Sequence, residues 1–580
     1  MTTARGAQPP TPGHHDQFTP DYPLLDQTVA EVAARASAWA DVTARERAGL
    51  LERIVRDTMV VAEEWNSAAC TAKGLDPLGP EGGEELFSGV GTFVHMAQAL
   101  RHSMLDLASV GRPRYPGPVH HKPDQRLAVQ VLPASAFDRI LYAGVSAEVW
   151  MEPGITEAQV RDTQAEAYRD PHAHEGVAVV LGAGNVASLG PRDVLTKLFA
   201  EGKVVVLKAN PVNEYLVPYW TRALSALIEP GFLRIVTGGS QVGAYLTGHD
   251  LVGHVHVTGS DKTHDAIVFG VGPEGERRKA ANEPLIEKSV TCELGCVSPV
   301  IIVPGEWTEK EIDYQAQHVA TMLANNAGFN CLSPRVLVTH AGWDQREDFM
   351  GALERVFESI PTRRAYYPGA MERWTSFLDV HPDARQIGER DGDRLPWTIV
   401  RDVNPTEVHD VCLNVEAFCS LTSETALAAD STAEFVRRAT DFCNQVVWGS
   451  LSMTILADPR TLRDPETGPA IERAVAELRY GSIGVNLWHA LSFAFASTVW
   501  GAYPGHKITD IQSGRGFVGN AYLFAHPQKS VIRGPFVATP RPAWFSTNAN
   551  AGSVMRKLLA FEAAPSWAKI PGLLAAAMKH

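Results

Sequence analysis

The sequence is poor in cysteine, with seven in 580 residues. A small and odd number in so long a chain argues against the disulfide framework of a secreted domain. The first twenty residues are rich in Pro, Thr and Gly and lack the apolar core of a signal peptide, so we predict a flexible leader there. The sequence therefore favours a reducing compartment, and we predict a cytoplasmic location.

Basic clusters and long apolar runs are also missing. The chain has 52 Lys and Arg against 66 Asp and Glu, which gives a formal net charge of -14. Because binding to phosphate backbones depends on clustered Lys and Arg, we do not expect a nucleic-acid partner. No apolar run reaches the roughly 18 residues of a membrane-spanning helix, so no transmembrane segment is expected. A small neutral or anionic substrate remains compatible with this composition.

Metal-ligand spacings and internal repeats are absent too. The stretch HAHE, His172 to Glu175, is followed by no further ligand at a usable spacing, so we interpret it as a polar loop and expect no metal. The stretch LGAGNVASLG lacks the spacing of the dinucleotide fingerprint G-x-G-x-x-G and is weak evidence by itself.

The apolar pattern indicates more than one core. Hydrophobic residues make up 45% of the chain, enough for two or more domains. From about Thr28 to Leu107 apolar residues recur every three or four positions, which predicts a layer of helices. The stretches RLAVQVLP and RILYAGVSAEVWM then predict strands, and ITEAQVRDTQAEAY predicts a helical segment.

From Glu175 onward short apolar strands alternate with helical segments. The strand patterns are GVAVVLG, KVVVLKA, LRIVTG and VGHVHVTGS, and the same alternation resumes at SPVIIV and continues past GSIGVNL. This order predicts right-handed crossovers and parallel sheets with helices on their faces. Ligands of such sheets bind at the carboxyl ends of the strands. We therefore predict two α/β domains joined near Glu293.

Two short motifs carry the reactive groups. Cys331 stands in NNAGFNCLSPR, among small and amide residues between a helical pattern and a strand pattern. A buried structural cysteine is the alternative interpretation, but this context favours a nucleophile. Glu293 stands in the apolar string VTCELGCV. Burial of an unpaired carboxylate there costs free energy of folding, so we expect Glu293 to have a functional role. The flanking Cys292 and Cys296 are interpreted as packing residues.

These motifs, in this order, resemble the aldehyde dehydrogenase superfamily. That family carries E-L-G-G-K-S-P, with a catalytic glutamate, followed a few dozen residues later by G-Q-x-C, with the nucleophile. ELGCVSP and GFNC occupy those places in this chain, and the resemblance runs from about Val177 to Phe536. It implies an aldehyde dehydrogenase-like α/β fold of two three-layer domains with a small oligomerisation hairpin.

The resemblance also implies a domain order along the chain. A leader (1–20) precedes a cofactor-binding domain that includes the N-terminal helices (21–292) and a catalytic domain (293–505). The chain then returns to the cofactor domain and forms an oligomerisation strand (506–540), and a helical tail (541–580) ends it. The late stretch KSVIRGPF resembles the family's strand that pairs between subunits, so a homodimer or homotetramer is expected.

The resemblance assigns the site residues one by one. It makes Cys331 the nucleophile, Glu293 the general base and Asn185, in GAGN, the amide that binds the oxyanion. The groups implied to bind the cofactor are Lys208, Gly259, Ser260, Glu416 and Phe418. For Glu416 an ordinary structural carboxylate is the alternative.

The implied reaction is oxidation of an aldehyde to a carboxylic acid with NAD or NADP. A thiolate adds to the carbonyl, hydride leaves the thiohemiacetal, and water activated by a base hydrolyses the thioester. Relatives that prefer NAD carry a glutamate three positions after the lysine; Pro211 stands there, so NADP is not excluded. Two alternatives are an acylating enzyme that uses CoA, whose relatives commonly lack the base glutamate, and an inactive binding or scaffold homologue.

Several positions depart from the family pattern. Phe329 replaces the glutamine before the nucleophile, Cys296 replaces a glycine, and Cys419 and Ser420 replace the last two residues of E-x-F-G-P. The segment between the phosphate-facing turn and Glu293 is longer than the family's. These changes indicate a specialised subfamily.

Two further segments bear on the substrate. The stretch Val485 to Gly505 corresponds to the family's loop beside the substrate tunnel and is rich in aromatic residues, among them Trp488, Phe493, Phe495 and Trp500. They favour a bulky or hydrophobic aldehyde, although packing in a core explains them equally well. The tail predicts two short helices with a break at Pro565 or Pro571. It could lie on a membrane surface, cap the substrate mouth or pack on a neighbouring subunit, and we favour the neighbour.

Overall fold

The structure, a computed structural model, describes residues 20–579. Of the predicted leader, residues 1–19 lie outside this range. The described chain forms two large β-sheets, with helices on their faces, and a helical segment at each end. The predicted α/β class is confirmed.

The N-terminal helical layer is built as the periodicity predicts. Its longest helix, Ala44–Lys73, begins with a capping box between Thr43 and Glu46 and ends at Gly74, whose positive φ suits glycine. Its apolar face packs against the helix Thr92–Val110 and the adjoining core. The helices of this layer are Tyr22–Ala33, Ala36–Asp41, Ala44–Lys73, Pro80–Leu86, the π-helical turn Phe87–Gly91, and Thr92–Val110.

The smaller sheet has six strands and is parallel except at one edge. From edge to edge it runs through Gly514–Arg515, Ser289–Glu293, Val252–Thr258, Val177–Leu181, Val204–Lys208 and Leu233–Val236. The helices of this domain are Leu189–Leu195 with the π-helical turn Thr196–Ala200, Val217–Ala223, Ser225–Ile228, Ser240–Gly248, Asp261–Val268 and Gly272–Ala281. The last of these fills the segment that is long for the family.

The larger sheet has eleven strands. In spatial order they are Val119–His121, Leu127–Leu132, Ser146–Met151, Pro527–Arg533, Ser482–Val485, Ser452–Leu456, Ser298–Ile302, Pro334–His340, Leu421–Leu427, Trp397–Val400 and Arg385–Ile387. The central strands are parallel and almost wholly buried, as sheets covered by helices on both faces require. Its main helices are Glu309–Ala324, Arg346–Ser359, Ala370–Val380, Thr432–Gln445 and Thr467–Glu477.

Shorter elements connect these sheets. Two small antiparallel pairs join Arg363–Arg364 to Arg394–Leu395 and Val499–Trp500 to Val518–Gly519. The remaining short α-helices are Ala136–Leu141, Glu157–Asp162, Val411–Asn414, Pro459–Arg463 and Ala490–Phe495. The strand predicted for RILYAGVSAEVWM is wrong in its first part, because Arg139 to Leu141 belong to a helix that Ser135 caps through the backbone of Asp138. Only Ser146–Met151 is a strand.

The late strand Pro527–Arg533 is paired on both of its edges within the chain. It runs parallel to Ser482–Val485 and antiparallel to Ser146–Met151. The expectation that this strand pairs between subunits is therefore corrected, since its backbone donors and acceptors are already used. The hairpin of Leu127–Leu132 and Ser146–Met151 lies in the larger sheet through the same strand, although it falls inside the range predicted for the cofactor domain. The predicted domain boundaries and the homo-oligomer stay predictions.

A buried lysine fastens this strand in place. Lys529 is fully buried, and its ammonium group donates hydrogen bonds to the carbonyls of Val475, Ala476 and Leu478 at 2.6, 2.9 and 3.0 Å. These carbonyls lie at the C-terminal end of the helix Thr467–Glu477, where a cation also complements the helix dipole. The strand is thus bound to the rest of its own chain by side-chain as well as backbone bonds.

The C-terminal tail folds back on its own chain. The helix Ala551–Ala563 packs against Pro80–Leu86 and Thr92–Val110, and a second helix, Ile570–Ala577, follows after the break at Pro565. The two predicted helices and the first of the two predicted break positions are confirmed. The favoured position on a neighbouring subunit is corrected, because the tail buries Val554, Met555 and Leu559 against this chain. Within residues 20–579, no helix has the length and apolar character needed to cross a bilayer.

Candidate active site

Three of the predicted catalytic residues meet where two cavities join. A large cleft of about 1200 Å³ and a narrow pocket of about 80 Å³ are both lined by Cys331, Glu293 and Asn185. The cleft follows the carboxyl ends of the six-stranded sheet, where ligands of such sheets bind. The pocket lies on the other side of Cys331. The thiol thus faces a place for a large ligand and a place for a small apolar one.

The loop that holds Cys331 has an unusual backbone. After the helix Glu309–Ala324, the residues Asn326, Ala327 and Gly328 have positive φ angles of 52, 56 and 79°. A Cβ atom on Gly328 would lie 2.2 Å from the carbonyl oxygen of Cys419, so only glycine allows this approach. Two non-glycine residues in this region are strained, and such strain persists where surrounding contacts hold it.

Arg335 supplies part of that support and was missed by sequence reasoning. It is buried, and its guanidinium donates to the carbonyls of Cys419 at 2.7 Å and Leu421 at 3.0 Å, and also to the carbonyl of Gly328. It therefore ties the loop before Cys331 to the segment that carries Glu416 and Phe418. Arg335 follows the nucleophile in the sequence, but nothing in its local pattern indicates this role.

A second buried network holds the other side of the loop. The Lys73 ammonium donates to Glu85 at 2.7 Å, to the Asn326 side-chain oxygen at 3.0 Å and to the Asn185 carbonyl at 3.1 Å. The Tyr366 hydroxyl lies within hydrogen-bond distance of the same two oxygens of Asn326 and Asn185, at 2.9 and 2.8 Å, and its one proton serves one of them at a time. A lysine from the N-terminal helices thus joins the nucleophile loop to the loop of Asn185. Lys73 lies far from Asn185 and Asn326 in the sequence, so hydrophobic periodicity could not indicate these contacts.

Asn185 is positioned to donate at the nucleophile. Its side-chain amide is buried and donates to the Phe329 carbonyl at 2.9 Å. An amide nitrogen has two N–H donors, so one remains to bind an oxygen beside Cys331. This placement agrees with the oxyanion role that the resemblance implies, which stays a prediction.

Glu293 ends a strand of the six-stranded sheet and is almost fully buried. Burial raises the pKa of its carboxyl group to about 7, the Cys331 thiol opposes that rise, and the Asp193 carboxylate adds to it. A carboxyl group with such a pKa exchanges protons near neutral pH, as a general base requires.

Cys331 differs from the other cysteines. All seven are free thiols, six are buried, and Cys331 alone is half-buried. The apolar surroundings of its sulfur raise the pKa of the thiol well above its ordinary value, and the Glu293 carboxylate raises it further. The thiol therefore needs a base to become a nucleophile, and Glu293 is the carboxylate with the largest influence on it.

The five residues predicted to bind the cofactor all line the large cleft. They are Lys208, Gly259, Ser260, Glu416 and Phe418. Lys208 ends the strand Val204–Lys208, and Ser260 caps the helix Asp261–Val268 by accepting from the Thr263 amide. The Gly259 amide donates to the Glu293 carbonyl at 3.1 Å, so the predicted phosphate turn is bonded directly to the strand end that carries the base.

One carboxyl oxygen of Glu416 is buried in the cleft without a partner in residues 20–579. The atom is Oε1, and leaving it without a hydrogen bond is costly for a carboxylate. Burial raises the pKa of this carboxyl group to about 7, and the Arg335 guanidinium opposes the rise. Gly295 makes room for it, because a Cβ atom there would lie 2.0 Å from Glu416 Oε2. An acceptor held free in a large cleft suits the hydroxyl groups of a cofactor ribose.

The departure at Phe329 has a structural explanation. Its ring packs against Tyr366, Tyr367 and Phe418 with centroid distances of 5.0, 5.9 and 5.9 Å. Phe418 itself has a positive φ of 42°. Phe329 therefore supports the aromatic residue of the cofactor cleft from below the nucleophile loop, through packing in place of the hydrogen bonds that a glutamine would make.

The predicted substrate loop contributes most of its aromatic residues to the cavities. Trp488, Phe493 and Trp500 line the narrow pocket with Cys331, and Phe495 lines a wider chamber beyond it. The pocket is completed by Ala543, Trp544, Phe545 and Ser546 of the C-terminal segment. The tail is therefore part of the wall that faces the nucleophile.

Comparisons with known proteins agree with this geometry. A sequence model described as "Aldehyde dehydrogenase family" matches residues 134–369, which include Asn185, Glu293 and Cys331. Aldehyde dehydrogenase LUC3 of Fusarium sp is 27% identical over 173 residues, which cover 29% of this chain and 34% of that protein. The chain thus matches about a third of the length of this curated relative.

Solved structures share the fold over nearly the whole chain. A putative aldehyde dehydrogenase from Burkholderia cenocepacia is 18% identical, with 88% of this chain and 91% of that chain covered and a TM-score of 0.59. An aldehyde dehydrogenase from Physcomitrella patens, solved with the reaction product succinate, is 16% identical, with 88% and 90% covered and a TM-score of 0.59. An NAD-dependent aldehyde dehydrogenase from Sinorhizobium meliloti is 18% identical, with 90% and 88% covered and a TM-score of 0.58. At these identities the likeness is one of fold.

Proposed function

We propose that this chain is a member of the aldehyde dehydrogenase superfamily and that it oxidises an aldehyde to a carboxylic acid with NAD or NADP. One observation carries the proposal: Cys331, Glu293 and Asn185 all line the junction between a cofactor-sized cleft and an apolar pocket. The aldehyde would enter from the pocket side and the cofactor from the cleft side. A cytoplasmic location stays a prediction.

The first step is addition of Cys331 to the carbonyl carbon. Glu293 accepts the thiol proton, the sulfur bonds to carbon, and the carbonyl π electrons move to oxygen. The free N–H of Asn185 and the backbone N–H of Cys331 donate to the resulting oxyanion. The buried loop network around Asn326 and Arg335 holds these donors in place before the substrate arrives.

The second half of the reaction releases the acid. When bound, NAD or NADP accepts the hydride that leaves the thiohemiacetal carbon. Glu416, with its unpartnered oxygen, and Lys208 at the strand end would hold the ribose hydroxyls. Glu293 first releases the proton it took from the thiol to solvent. It then takes a proton from water, the water oxygen adds to the thioester carbon, and the Cys331 thiolate leaves.

The two alternatives make different demands. An acylating enzyme that passes the acyl group to CoA has no need of a base for water, so Glu293, buried beside the thiol with a pKa near 7, weighs against it. An inactive homologue has no need to keep a carboxyl oxygen unpartnered in the cleft, as Glu416 does. Hydrolytic aldehyde oxidation explains both observations.

The choice between NAD and NADP stays open. Pro211 begins a short 3-10 helix, Pro211–Leu216, at the position where an acidic residue would repel a 2′-phosphate. Glu214 of the same turn accepts a hydrogen bond from the Gly238 amide at 2.7 Å. The direct test of the function is a panel of aldehydes with each cofactor, followed by absorbance of the reduced nicotinamide. Absence of turnover with every aldehyde would contradict the proposal.

We predict that the rate of hydrolytic turnover rises with pH through about 7. The pKa of Glu293 is raised to about 7, so the carboxyl group is about 90% protonated one pH unit below and about 90% ionised one unit above. Only the ionised form accepts a proton, so activity is lost as pH falls. A kcat profile from about pH 5.5 to 8.5 measures this. A profile without an inflection near neutrality in the native protein would contradict the assignment.

We also predict that Gly295→Ala weakens cofactor binding by about tenfold. The added Cβ would lie 2.0 Å from Glu416 Oε2, so the carboxylate must move away from its place in the cleft. Quenching of the protein's tryptophan fluorescence during titration gives the Kd for NAD and NADP. The matched control is Gly253→Ala, since a Cβ on this exposed strand residue meets nothing within 4 Å. An unchanged Kd in Gly295→Ala would remove Glu416 from the cofactor site.

A further inference from the structure

Beyond the narrow pocket at Cys331 lies a second, wider apolar chamber. It has a volume of about 490 Å³, within the range of about 300 to 1000 Å³ typical of ligand sites. The two cavities share seven lining residues, which are Phe87, Thr92, Leu491, Ala494, Ala543, Trp544 and Met555. The pocket beside the nucleophile is therefore small, and the chamber that adjoins it through these shared residues is larger.

The side chains shared by the two cavities are apolar except for Thr92. Leu491 and Met555 are buried, and Phe87 and Trp544 are half-buried. Methionine side chains change rotamer easily and accommodate varied apolar shapes. The space next to the thiol, at about 80 Å³, suits a slim methylene chain better than a ring or a branched group attached directly to the carbonyl.

The chamber is roofed by the C-terminal helices of the same chain. Val554, Leu558 and Leu559 of the helix Ala551–Ala563 and Leu573 of the helix Ile570–Ala577 face it. Its other walls are largely aliphatic and aromatic and include Leu141, Tyr142 and Phe495. The chargeable side chains that line the chamber include His95, His318, Arg541 and Glu562. His95 and Glu562 bind each other, with 2.8 Å between His95 Nδ1 and Glu562 Oε2. An apolar ligand would gain favourable burial from such a surface.

Contacts at both ends hold the helix Ala551–Ala563 in place over the chamber. Gln98 donates to the carbonyls of Glu562 and Ala563 at the end of the first tail helix, at 3.3 and 2.9 Å. At the other end Gly83 and Gly552 allow the two helices to touch, since a Cβ on Gly83 would lie 2.6 Å from the Gly552 nitrogen. Because both ends of the helix Ala551–Ala563 are held, the chamber is a fixed cavity of the folded chain.

We infer that this chamber holds the hydrocarbon tail of a long, unbranched aliphatic aldehyde whose carbonyl group lies at Cys331. The inference rests on the proposed function and names its substrate class. It refines the expectation of a bulky or hydrophobic aldehyde. The small pocket beside the thiol favours a hydrophobic aldehyde but disfavours one that is bulky next to its carbonyl group. The part of the aldehyde that determines selectivity is the end of its hydrocarbon chain far from the carbonyl group. The residues that contact this end belong to the C-terminal helices of the protein.

The first experiment measures kcat/KM for butanal, hexanal, octanal and decanal, with benzaldehyde as a bulky comparison, at concentrations below aggregation. Each methylene group that is buried contributes about a fourfold gain. We expect kcat/KM to rise at least about a hundredfold from butanal to decanal and to be lower for benzaldehyde than for decanal. A flat or falling series in an active enzyme would overturn the inference. Failure of every aldehyde would instead contradict the proposed function.

The second experiment narrows the chamber from the roof. Leu558 is half-buried on the chamber side of its helix and does not line the pocket at Cys331. Leu558→Trp should lower the ratio of kcat/KM for decanal to that for butanal by at least about tenfold. The matched control is Lys557→Trp, on the exposed face of the same helix, which should leave the ratio within about twofold.

A third variant covers the case in which the larger side chain disturbs folding. Leu558→Ala removes volume from the chamber and should shift the optimum toward longer chains, with dodecanal gaining relative to decanal. Circular dichroism and the melting temperature of each variant show whether the fold is kept. If neither Leu558 variant moves the chain-length profile while both remain folded, the chamber does not hold the substrate tail.

Discussion

Replacing Cys331 by Ala is expected to lower NADH or NADPH formation from any aldehyde by at least about a thousandfold. The sulfur makes the covalent bond on which both hydride transfer and hydrolysis depend, and no other thiol is half-buried at the junction of the two cavities. The change removes one small group and leaves the cofactor residues in place, so nucleotide binding should persist. Steady-state assays and a nucleotide titration measure the two properties separately.

The matched control for this variant is Cys443→Ala. Cys443 is also a free cysteine, but it is buried in the helix Thr432–Gln445 and lines neither cavity at the nucleophile. Its replacement should keep activity within a few fold, with any loss traced to stability. Turnover that survives in Cys331→Ala at more than a few per cent would end the nucleophile assignment, whatever the control shows.

Replacing Glu293 by Gln is expected to slow steady-state turnover by about a hundredfold to ten-thousandfold. The amide keeps the size of the side chain but accepts no proton at neutral pH, so activation of water is lost. Acylation should suffer less than hydrolysis, because thiolate formation can draw on solvent base at higher pH. A rapid burst of reduced nicotinamide, followed by a slow phase, is the expected signature, and mass spectrometry should detect an acyl group on Cys331.

The control for this variant is Glu287→Gln. Glu287 is exposed and lies shortly before the same strand, so the charge change is matched without any contact with the thiol. It should leave both the burst and the steady-state rate unchanged within about twofold. If Glu293→Gln turned over at the native rate, the base would have to be another group, and the argument against a CoA-acylating enzyme would lose its main support.

Much of the fold could be predicted from local pattern. Runs such as VVVLK at Val204–Lys208 are buried on both faces and read as continuous apolar strands. Glu293, Lys208 and the turn at Gly259 stand at the carboxyl ends of parallel strands of one sheet, so their convergence follows from the topology. Cys331 could be singled out because its neighbours are small and polar between a helix and a strand.

Features that depend on distant contacts could not be predicted in this way. Lys73 bonds to Asn326 and Asn185 across large stretches of sequence, and neither hydrophobic periodicity nor a motif records that contact. Arg335 has the same difficulty, because its partners are backbone carbonyls that any sequence possesses. Such residues are found only once the chain is folded.

The placements of the late strand and the tail were misjudged for a related reason. An apolar strand or an amphipathic helix predicts that a face will be buried but not which surface buries it. In Pro527–Arg533 the fully buried Lys529 selects a partner within the chain, since its three carbonyl acceptors lie at the end of the helix Thr467–Glu477. For the tail, the contact between Gly83 and Gly552 fixes the position.

The roof over the chamber belongs to the polypeptide that carries the nucleophile, and this has a consequence for how the enzyme would respond to its own abundance. Because the proposed substrate wall uses residues of one chain, we expect the chain-length preference to stay the same on dilution and at any expression level. In a mixture, chains with a defective tail would lose activity toward long aldehydes, and the native chains beside them would keep theirs. The preference for one chain length would accordingly be a property of each polypeptide and would not depend on its neighbours.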